Sequence, residues 1–391
     1  MPHFSSRVSS KLPLVGTTIF TVMSALAQEH KAINLSQGFP GFAPDPKLIK
    51  KAAKAMKQGF NQYAPMAGWL PLREEVSALF ERRDGVSYHP EKEITITAGA
   101  TQALFTAIQA LVRENDEVIV FTPAYDCYVP ALELVQAKVH QVVLRAPHYQ
   151  IDWEQVKQLF SRRTKMIIIN TPHNPTGTMM SAKDIATLAE ITKGTDCIVL
   201  SDEVYEHIVF DGQKHLGAAS HPELVSRSLI VGSFGKTFHV TGWKTGYVCG
   251  PEALMSEFRK VHQYNVFCCN TPVQVALAEY MKGERPEESL GTFYQKKRDL
   301  LLQALEGSAF EFQPSAGTYF QVLNYKKLSD DADTKVAKDW TIDFGIASIP
   351  ISVFYQYPVQ DHVLRFCFAK EDDELLKAAK RLHKISKTLS K

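Results

Sequence analysis

The sequence of 391 residues has little of several features that would assign it to a class at once. Its charge is nearly balanced, with 44 Lys and Arg against 42 Asp and Glu, so no basic excess points to nucleic acid. The six cysteines show no Cys-x-x-Cys spacing, which predicts buried free thiols in a reducing compartment. No apolar run is long enough to span a membrane. The remaining composition, 45% hydrophobic and 22% charged, is typical of a soluble globular protein.

One segment near the start imitates a secretory signal. Arg7 and Lys11 precede an uncharged stretch, residues 12–28, but proline, glycine and hydroxyl residues interrupt that stretch. Four apolar residues share one helical face instead: Ile19, Val22, Met23 and Leu26. We therefore predict a helix with Thr17 or Thr18 as its N-cap, and a cytoplasmic protein.

Lys236 is the most informative residue. It follows the β-prone run 229–232, and a lysine there could end a strand inside a site. A phosphate-binding loop of nucleotide-binding proteins is excluded, because that loop needs a glycine where Ile230 stands. A lysine amine in a site can form a Schiff base with an aldehyde cofactor such as pyridoxal 5'-phosphate. A solvated surface lysine would look the same in isolation, so this hypothesis depends on partners elsewhere in the chain.

Asp202 is a candidate partner for the pyridine nitrogen of such a cofactor. It follows the apolar run 197–200, at the end of a predicted buried strand, where open α/β sheets place their ligands. Tyr205 could donate to the phenolic oxygen of the cofactor, and Asn174, in a turn after another apolar run, could do the same. A helix-capping aspartate and an ordinary turn asparagine remain the alternatives.

Three further sites complete the hypothesis. The segment 95–104 reads as a strand, a turn at Gly99 and a helix start, which favours a phosphate site, although an ordinary βα turn looks the same. Tyr125 is a candidate stacking face, or else a core aromatic. Arg365 lies alone in an apolar strand and needs an anion, which is either a substrate carboxylate or an internal salt bridge.

A metal site is an alternative use of the acidic cluster. Its members are Asp202, Glu203, Glu206 and His207. The cluster lacks the His-Glu-x-x-His spacing of zinc hydrolases, and an exposed helix face carries such charges by default. We therefore predict no metal.

Taken together, these residues resemble the fold-type I pyridoxal-phosphate aminotransferases of class I/II, from about Leu12 to the C-terminal end. The most specific segments are Asn174-Pro175-Thr176-Gly177, residues 201–205, and residues 233–237 with 242–246. Residues 16–20, 35–40 and 61–68 are similar to the kynurenine/glutamine aminotransferase branch and, within it, to bacterial methionine aminotransferases.

The resemblance implies a role for each position. Lys236 would carry the cofactor, Asp202 would pair with the ring nitrogen, and Tyr205 would bond the phenolic oxygen together with Asn174. Tyr125 would stack on the ring. The phosphate would be held by Gly99, Ala100, Thr101, Ser233 and Lys244. Tyr63 would reach the phosphate of the neighbouring subunit in a homodimer. Arg365 would bind the substrate carboxylate, helped by Gly38 and Asn174.

Three positions depart from the family pattern. Lys244 stands where many members have arginine, which keeps the charge but loses the bidentate fork. Tyr125 stands where relatives often have phenylalanine. Thr101 replaces a larger aromatic residue and would leave room for a substrate side chain.

The expected fold is α/β, of aminotransferase fold type I. A large domain, residues 40–282, would hold a mostly parallel mixed sheet flanked by helices, and residues 1–39 and 283–391 would form a smaller α+β domain. The expected function is transfer of an amino group from a large uncharged amino acid (methionine, aromatic, histidine or glutamine-like) to a 2-oxo acid. A cysteine-conjugate β-lyase on the same site is one alternative. A non-enzymatic regulator is another, but it would need a DNA-binding domain for which we expect no room. The isomer of two proline bonds, Thr122–Pro123 and Asn174–Pro175, stays open.

Overall fold

The computed structural model describes residues 8–390. Residues 1–7 and 391, which belong to the predicted small domain, lie outside the described residues. Arg7 of the signal-like segment is one of them.

Within this range the chain forms twelve strands and fourteen α-helices. The strands are β1 (Ile33–Asn34), β2 (Ile94–Thr97), β3 (Glu117–Thr122), β4 (Lys138–Val143), β5 (Thr164–Asn170), β6 (Ile198–Asp202), β7 (Ser228–Ser233), β8 (Gly246–Cys249), β9 (Phe320–Asn324), β10 (Ile346–Ala347), β11 (Ile349–Pro350) and β12 (Val363–Cys367). The helices are α1 (Ile19–Glu29), α2 (Pro46–Lys57), α3 (Leu70–Asp84), α4 (Ala100–Leu111), α5 (Tyr128–Leu134), α6 (Trp153–Leu159), α7 (Ala182–Thr192), α8 (Pro222–Val225), α9 (Phe234–Thr237), α10 (Glu252–Asn265), α11 (Thr271–Glu284), α12 (Glu287–Ala304), α13 (Asp333–Asp343) and α14 (Asp372–Leu389).

A seven-stranded sheet forms the centre of the molecule, in the order β2-β8-β7-β6-β5-β3-β4. Strands β3 to β7 pair in parallel, and β8 alone runs antiparallel to both of its neighbours, β2 and β7. The prediction of a mostly parallel mixed sheet is therefore confirmed.

The central strands of this sheet are buried on both faces, which explains the long apolar runs in β3, β5 and β6. Along β3, Val118 and Val120 belong to one buried cluster, whereas Ile119 and Phe121 belong to another on the opposite face. Successive side chains of a strand point to opposite faces, so this alternation places one hydrophobic layer on each side of the sheet. Helices supply the other half of each layer.

A third cluster lies around a smaller antiparallel sheet, β11-β12-β9. It joins residues from both ends of the chain, because Met23 and Leu35 pack with residues between 290 and 385. Strand β1 also pairs in parallel with β10. These contacts agree with the predicted small domain, whose boundaries at residues 39 and 283 stay a prediction.

Helix α1 replaces the signal-like segment, as expected. Thr18 is its N-cap, and the Thr18 side chain accepts a hydrogen bond from the backbone N–H of Thr21. Met23, on the predicted apolar face, is fully buried. Across residues 8–390, none of the helices combines the length and the apolar character that crossing a membrane requires.

Strand direction determines where the functional residues lie. Strands β2, β3, β5, β6 and β7 all point the same way, so their carboxyl ends meet at one edge of the sheet. Asp202 is the last residue of β6, and the segments after β2, β3, β5 and β7 carry Gly99, Tyr125, Asn174 and Lys236 respectively. Loops at the carboxyl edge of a parallel sheet are the usual ligand-binding position of α/β proteins.

Candidate active site

A cavity at this carboxyl edge brings together ten of the predicted residues. They are Gly99, Ala100, Thr101, Tyr125, Asn174, Asp202, Tyr205, Ser233, Lys236 and Lys244. Residues that are far apart in sequence therefore converge on one space. Gly38 and Arg365 border this group through hydrogen bonds to Lys236 and Asn174.

Lys236 does not end the strand, which corrects its predicted position. Strand β7 stops at Ser233, and Lys236 lies in the single helical turn α9 that follows. Its Nζ donates hydrogen bonds to the carbonyl oxygen of Gly38 at 2.8 Å and to the hydroxyl of Tyr319 at 2.9 Å. Burial, assisted by the positive charges of Arg365 and Lys244, lowers the pKa of Lys236 to about 8. The amine is thus poised between its charged and neutral forms near physiological pH.

Asp202 is a buried carboxylate without a basic partner. It is 3% exposed, and among the described residues no Lys, Arg or His nitrogen lies within 4.0 Å of its oxygens. The hydroxyl of Tyr128 donates to its Oδ2 at 2.5 Å, and the backbone N–H of Val204 donates to its Oδ1 at 3.4 Å. Burial raises the pKa of Asp202 to about 6, while the hydrogen bond from Tyr128 lowers it. A cation at this position would relieve the cost of burying the charge.

Asn170 ties the turn that carries Asn174 to the strand that carries Asp202. Asn170 and Asp202 face each other in the parallel pairing of β5 with β6. The Asn170 amide donates to the carbonyl oxygen of Asp202 at 2.9 Å, and its Oδ1 accepts from the backbone N–H of Asn174 at 2.8 Å. Both proline bonds left open by the sequence, Thr122–Pro123 and Asn174–Pro175, are cis.

The start of helix α4 forms a site suited to an anion. Gly99 is the N-cap, with a positive φ of 79° and no side-chain cap, so the first-turn N–H groups have no partner within the helix. A Cβ added at Gly99 would lie 3.3 Å from the Nζ of Lys244, which shows how closely that ammonium approaches the turn. Ser233 lines the same cavity. Free amides, the helix dipole and an ammonium group together favour a phosphate.

Aromatic side chains form the walls of the cavity. The hydroxyl of Tyr125 lies 3.1 Å from the Oγ1 of Thr101, and its ring contacts the ring of Tyr128 at a centroid distance of 5.8 Å. Tyr205 packs edge to face against Tyr319 at 5.2 Å. These contacts restrict the rings of Tyr125 and Tyr205, which both line the cavity.

Arg365 is buried without an acidic partner. Only 1% of it is exposed, and its guanidinium lies 3.9 Å above the ring of Phe320. Its Nη1 donates to the Oδ1 of Asn174 at 2.8 Å, and its Nη2 donates to the carbonyl oxygen of Ser36 at 3.1 Å. No described carboxylate forms an ion pair with it, so the alternative of an internal salt bridge is not met within residues 8–390. A buried guanidinium that has only neutral acceptors is suited to an anionic ligand.

The acidic cluster that suggested a metal is arranged differently from the prediction. Glu203, Glu206 and His215, rather than Asp202, bring their ligand atoms within 4.8 Å of one another. The guanidinium of Arg83 forms an ion pair with Glu206 and lies 3.9 Å from Glu203. Because Arg83 already supplies a positive charge to this cluster, its buried carboxylates have a structural explanation.

A larger cleft lies elsewhere in the described structure. It has a volume of about 1190 Å³ and is lined by residues such as Tyr149, Trp153 and Phe312. It shares Asn170 with the smaller cavity, but neither Lys236 nor Asp202 lines it. Size alone therefore does not identify the functional site here, and the convergence of chemically matched groups does.

Tyr63, unlike Gly38 and Arg365, neither lines the cavity nor forms a hydrogen bond with a described residue that lines it. It is 80% exposed and contacts the ring of Phe267 edge to face at 5.0 Å. Phe267 and Tyr264 are also exposed, so several large aromatic side chains face solvent near this point. The role of Tyr63 in a neighbouring subunit stays a prediction.

Sequence reasoning missed three residues that contact the predicted ones. Tyr128 bonds to Asp202, Asn170 bonds to Asp202 and Asn174, and Tyr319 bonds to Lys236. Asn170 could have been found, because it is the polar residue that ends an apolar strand. Nothing in the local pattern distinguishes Tyr128 or Tyr319 from a core tyrosine.

Known proteins are similar to this one along almost the whole chain. Residues 30–382 match the family described as aminotransferase class I and II. The chain is 48% identical to a methionine aminotransferase of Escherichia coli over 96% of this chain and 98% of that protein. It is 35% identical to the mouse kynurenine–oxoglutarate transaminase 1 over 91% of this chain and 92% of that protein. A crystal structure from Escherichia coli, reported to identify a methionine aminotransferase function, superposes with a TM-score of 0.95 and 47% identity, covering 97% of this chain and all of that one.

Proposed function

The chain belongs to the class I and II aminotransferases and is an aminotransferase, and from this premise we propose that it takes the amino group of a large, uncharged amino acid such as methionine and delivers it to a 2-oxo acid. The observation that carries the proposal is that Lys236 and Asp202 line one cavity, with the buried Arg365 next to it. The names of the similar proteins support methionine, aromatic and kynurenine-like donors. A cysteine-conjugate β-lyase is not favoured, since these relatives are named as aminotransferases.

The family depends in general on pyridoxal 5'-phosphate, and the cavity fits that group. Its anionic end, at Asp202, lacks a basic partner among the described residues and suits a protonated pyridine nitrogen. Its cationic end, at the start of α4 with Lys244, suits a phosphate. Lys236 and Tyr125 line the same cavity. The donor set therefore matches the charge pattern of this cofactor.

We assign the following roles to the predicted residues that line the cavity. Asp202 would hold the ring nitrogen, Tyr205 and Asn174 would bond the phenolic oxygen, and Tyr125 would stack on the ring. Bound pyridoxal phosphate supplies an aldehyde that takes up an amino group and a ring that accepts electrons. The phosphate would be held by Gly99, Ala100, Thr101, Ser233 and Lys244.

Lys236 would also move the proton that the reaction requires. A neutral amine is needed to accept the proton from the α-carbon of the amino acid, and the low pKa of Lys236, about 8, makes that form accessible. Gly38 and Tyr319 accept hydrogen bonds from the same nitrogen and so restrict where the amine can lie. Positioning of this kind contributes as much to rate as the basicity of the group.

Arg365 would bind the substrate carboxylate, with Asn174 and Gly38 beside it. The space next to the guanidinium is apolar, since Phe320 lies 3.9 Å from its Cζ and Phe20 lies 5.4 Å from it. Phe354 contacts Phe20 at a centroid distance of 5.8 Å. These rings suit a thioether or an aromatic side chain better than a second carboxylate.

Addition of substrates to the purified protein, one at a time, tests the proposal. We expect the visible absorbance of the bound cofactor to disappear when methionine is added and to return when a 2-oxo acid follows. Lys236→Ala should lose the visible imine absorbance and nearly all turnover. A protein that releases pyruvate and ammonia from a cysteine conjugate, but exchanges no amino group with a 2-oxo acid, would be a β-lyase instead.

We also propose a cytoplasmic homodimer in which Tyr63 completes the cavity of its neighbour. Tyr63 is highly exposed and does not line its own cavity. Mixing of two inactive variants, Lys236→Ala and Tyr63→Ala, offers a direct test. In a random mixture about half of the dimers are hybrids and one of the two sites in each hybrid is intact, so about a quarter of full activity should return. No gain on mixing would contradict a shared site, provided that subunit exchange is verified by mass.

A further inference from the structure

Tyr128 makes a contact that the proposed roles do not include. It begins helix α5 and is 2% exposed. Its hydroxyl donates a 2.5 Å hydrogen bond to Oδ2 of Asp202, and no other described side chain hydrogen-bonds to that carboxylate. The remaining contact, from the Val204 N–H to Oδ1, is long at 3.4 Å. The orientation of the Asp202 carboxylate therefore depends mainly on Tyr128.

The contact also affects the charge of Asp202. A carboxylate removed from water favours its protonated form, and a neutral phenol that donates to it favours the ionised form. Tyr128 cannot itself take over the charge, because burial raises the pKa of its hydroxyl far above the ordinary value. Burial raises the pKa of Asp202, and the hydrogen bond from Tyr128 lowers it. These opposite effects act on the acid that would face a pyridine nitrogen.

The Asp202 carboxylate and the ring nitrogen of a bound cofactor would compete for one proton. A ring nitrogen next to Asp202 keeps its proton only if the carboxylate is the weaker base, and every donor to the carboxylate makes it weaker. We propose that Tyr128 is a positioning residue that orients Asp202 and keeps it ionised, so that the proton stays on the ring nitrogen of the cofactor. This inference rests on the proposed function, because it assumes pyridoxal phosphate in the cavity.

Tyr128 differs from the other titratable groups around Asp202 because it forms a hydrogen bond with the carboxylate. The other titratable groups that act on Asp202 or are acted on by it are Tyr125, Cys127, Glu203, Tyr205 and Lys236. None of these forms a hydrogen bond with the Asp202 carboxylate. Their influence acts through space and stays in place when the Tyr128 hydroxyl is removed.

Tyr128→Phe removes the donor and keeps the ring, and Tyr88→Phe is a matched control. Tyr88 is also buried, 3% exposed, and its hydroxyl has no hydrogen-bond partner among the described residues. With cofactor labelled with ¹⁵N at the ring, we expect Tyr128→Phe to move the nitrogen resonance towards that of unprotonated pyridine. The acid limb of kcat/KM should move up by about one pH unit or more, the value of a hydrogen bond to a charged group. Tyr88→Phe should change neither quantity.

Incorporation of 3-fluorotyrosine at position 128 provides a second, smaller change that keeps the side-chain shape. Its hydroxyl is a stronger donor, so the ring-nitrogen resonance should move in the direction opposite to that of Tyr128→Phe. Equal resonances and acid limbs in wild type, Tyr128→Phe and the fluorinated protein would overturn the inference. If wild type shows no amino-group exchange at all, it is the proposed function that fails. If wild type exchanges amino groups normally and the Tyr128 changes have no effect, this inference alone fails.

Discussion

The pKa of Lys236 predicts how fast the protein captures its cofactor at each pH. Only the neutral amine attacks an aldehyde, and burial, assisted by Arg365 and Lys244, lowers the pKa of Lys236 to about 8. At pH 7 a lysine with this pKa is neutral in about one molecule in ten, whereas an ordinary lysine, with a pKa of about 10.4, is neutral in about one in 2,500. Lys236 should therefore capture the aldehyde about 200 times faster at pH 7 than an unshifted lysine of equal access.

The rate at which Lys236 captures the cofactor should rise with pH and then level off. Because the pKa is lowered, the neutral fraction rises with pH up to about 8 and changes little above it. Protein freed of cofactor, mixed with excess pyridoxal phosphate, should show a rate of visible-band formation that levels off near this pH. The same reaction of N-acetyl-lysine corrects for ionisation of the cofactor itself. Arg365→Gln removes one nearby positive charge, so its midpoint should lie higher than that of wild type.

Two results would refute this reasoning. A rate that keeps rising tenfold per pH unit beyond pH 10 would mean that Lys236 has an ordinary pKa. An unchanged midpoint in Arg365→Gln would mean that Arg365 does not act on the amine. Retention of the visible band by Lys236→Ala would show that another lysine is being observed.

Three more predictions concern single side chains. Arg365→Met should lower kcat/KM for methionine by about 100-fold to 1,000-fold, with the bound-cofactor spectrum unchanged, because a charged contact to substrate is lost; steady-state kinetics with an uncharged methionine amide, which should be affected little, provides the control. Lys244→Met should weaken pyridoxal-phosphate affinity by about tenfold or more, measured by spectral titration, whereas Lys244→Arg should stay within about tenfold of wild type; equal affinities in all three proteins would contradict the phosphate contact. Gly99→Ala should lower the free energy of unfolding by about 1–3 kcal/mol in chemical denaturation, because φ is 79° there and the new Cβ would lie 3.3 Å from the Nζ of Lys244; Gly59→Ala, which also has a positive φ but has no atom within 4 Å of the added Cβ, separates strain from crowding.

Much of the fold could be predicted because its strands are buried on both faces. Continuous apolar runs followed by polar residues located β5, β6 and β7, and the turn at Gly99 with the helix start after it was predicted where it is observed. Parallel pairing then brings Asn174, Asp202 and Lys236 to one edge without further assumptions. The antiparallel β8 was not predicted, since strand direction leaves no trace in a short apolar run.

The parts of the site that were missed are those fixed by tertiary packing. Tyr128 and Tyr319 look like ordinary core tyrosines in sequence, and only the fold brings their hydroxyls to Asp202 and Lys236. The predicted end of β7 at Lys236 was wrong by three residues, because the strand ends at Ser233 and Gly235 sits in the helical turn that follows. The surroundings of the acidic cluster could not be predicted for a related reason: Arg83, about 120 positions away in sequence, reaches Glu203 and Glu206.

The two ends of the proposed active site belong to separately packed layers. Asp202 ends β6 and Lys236 follows the neighbouring strand β7 of the seven-stranded sheet, whereas Arg365 lies in β12, whose hydrophobic support includes Met23, Leu35 and helix α14. If the proposed roles hold, changes in this support can alter recognition of the amino acid without altering the surroundings of Lys236. Related proteins could in this way come to accept different amino acids through substitutions in the layer around β12. The residues of the seven-stranded sheet around Lys236 would stay the same.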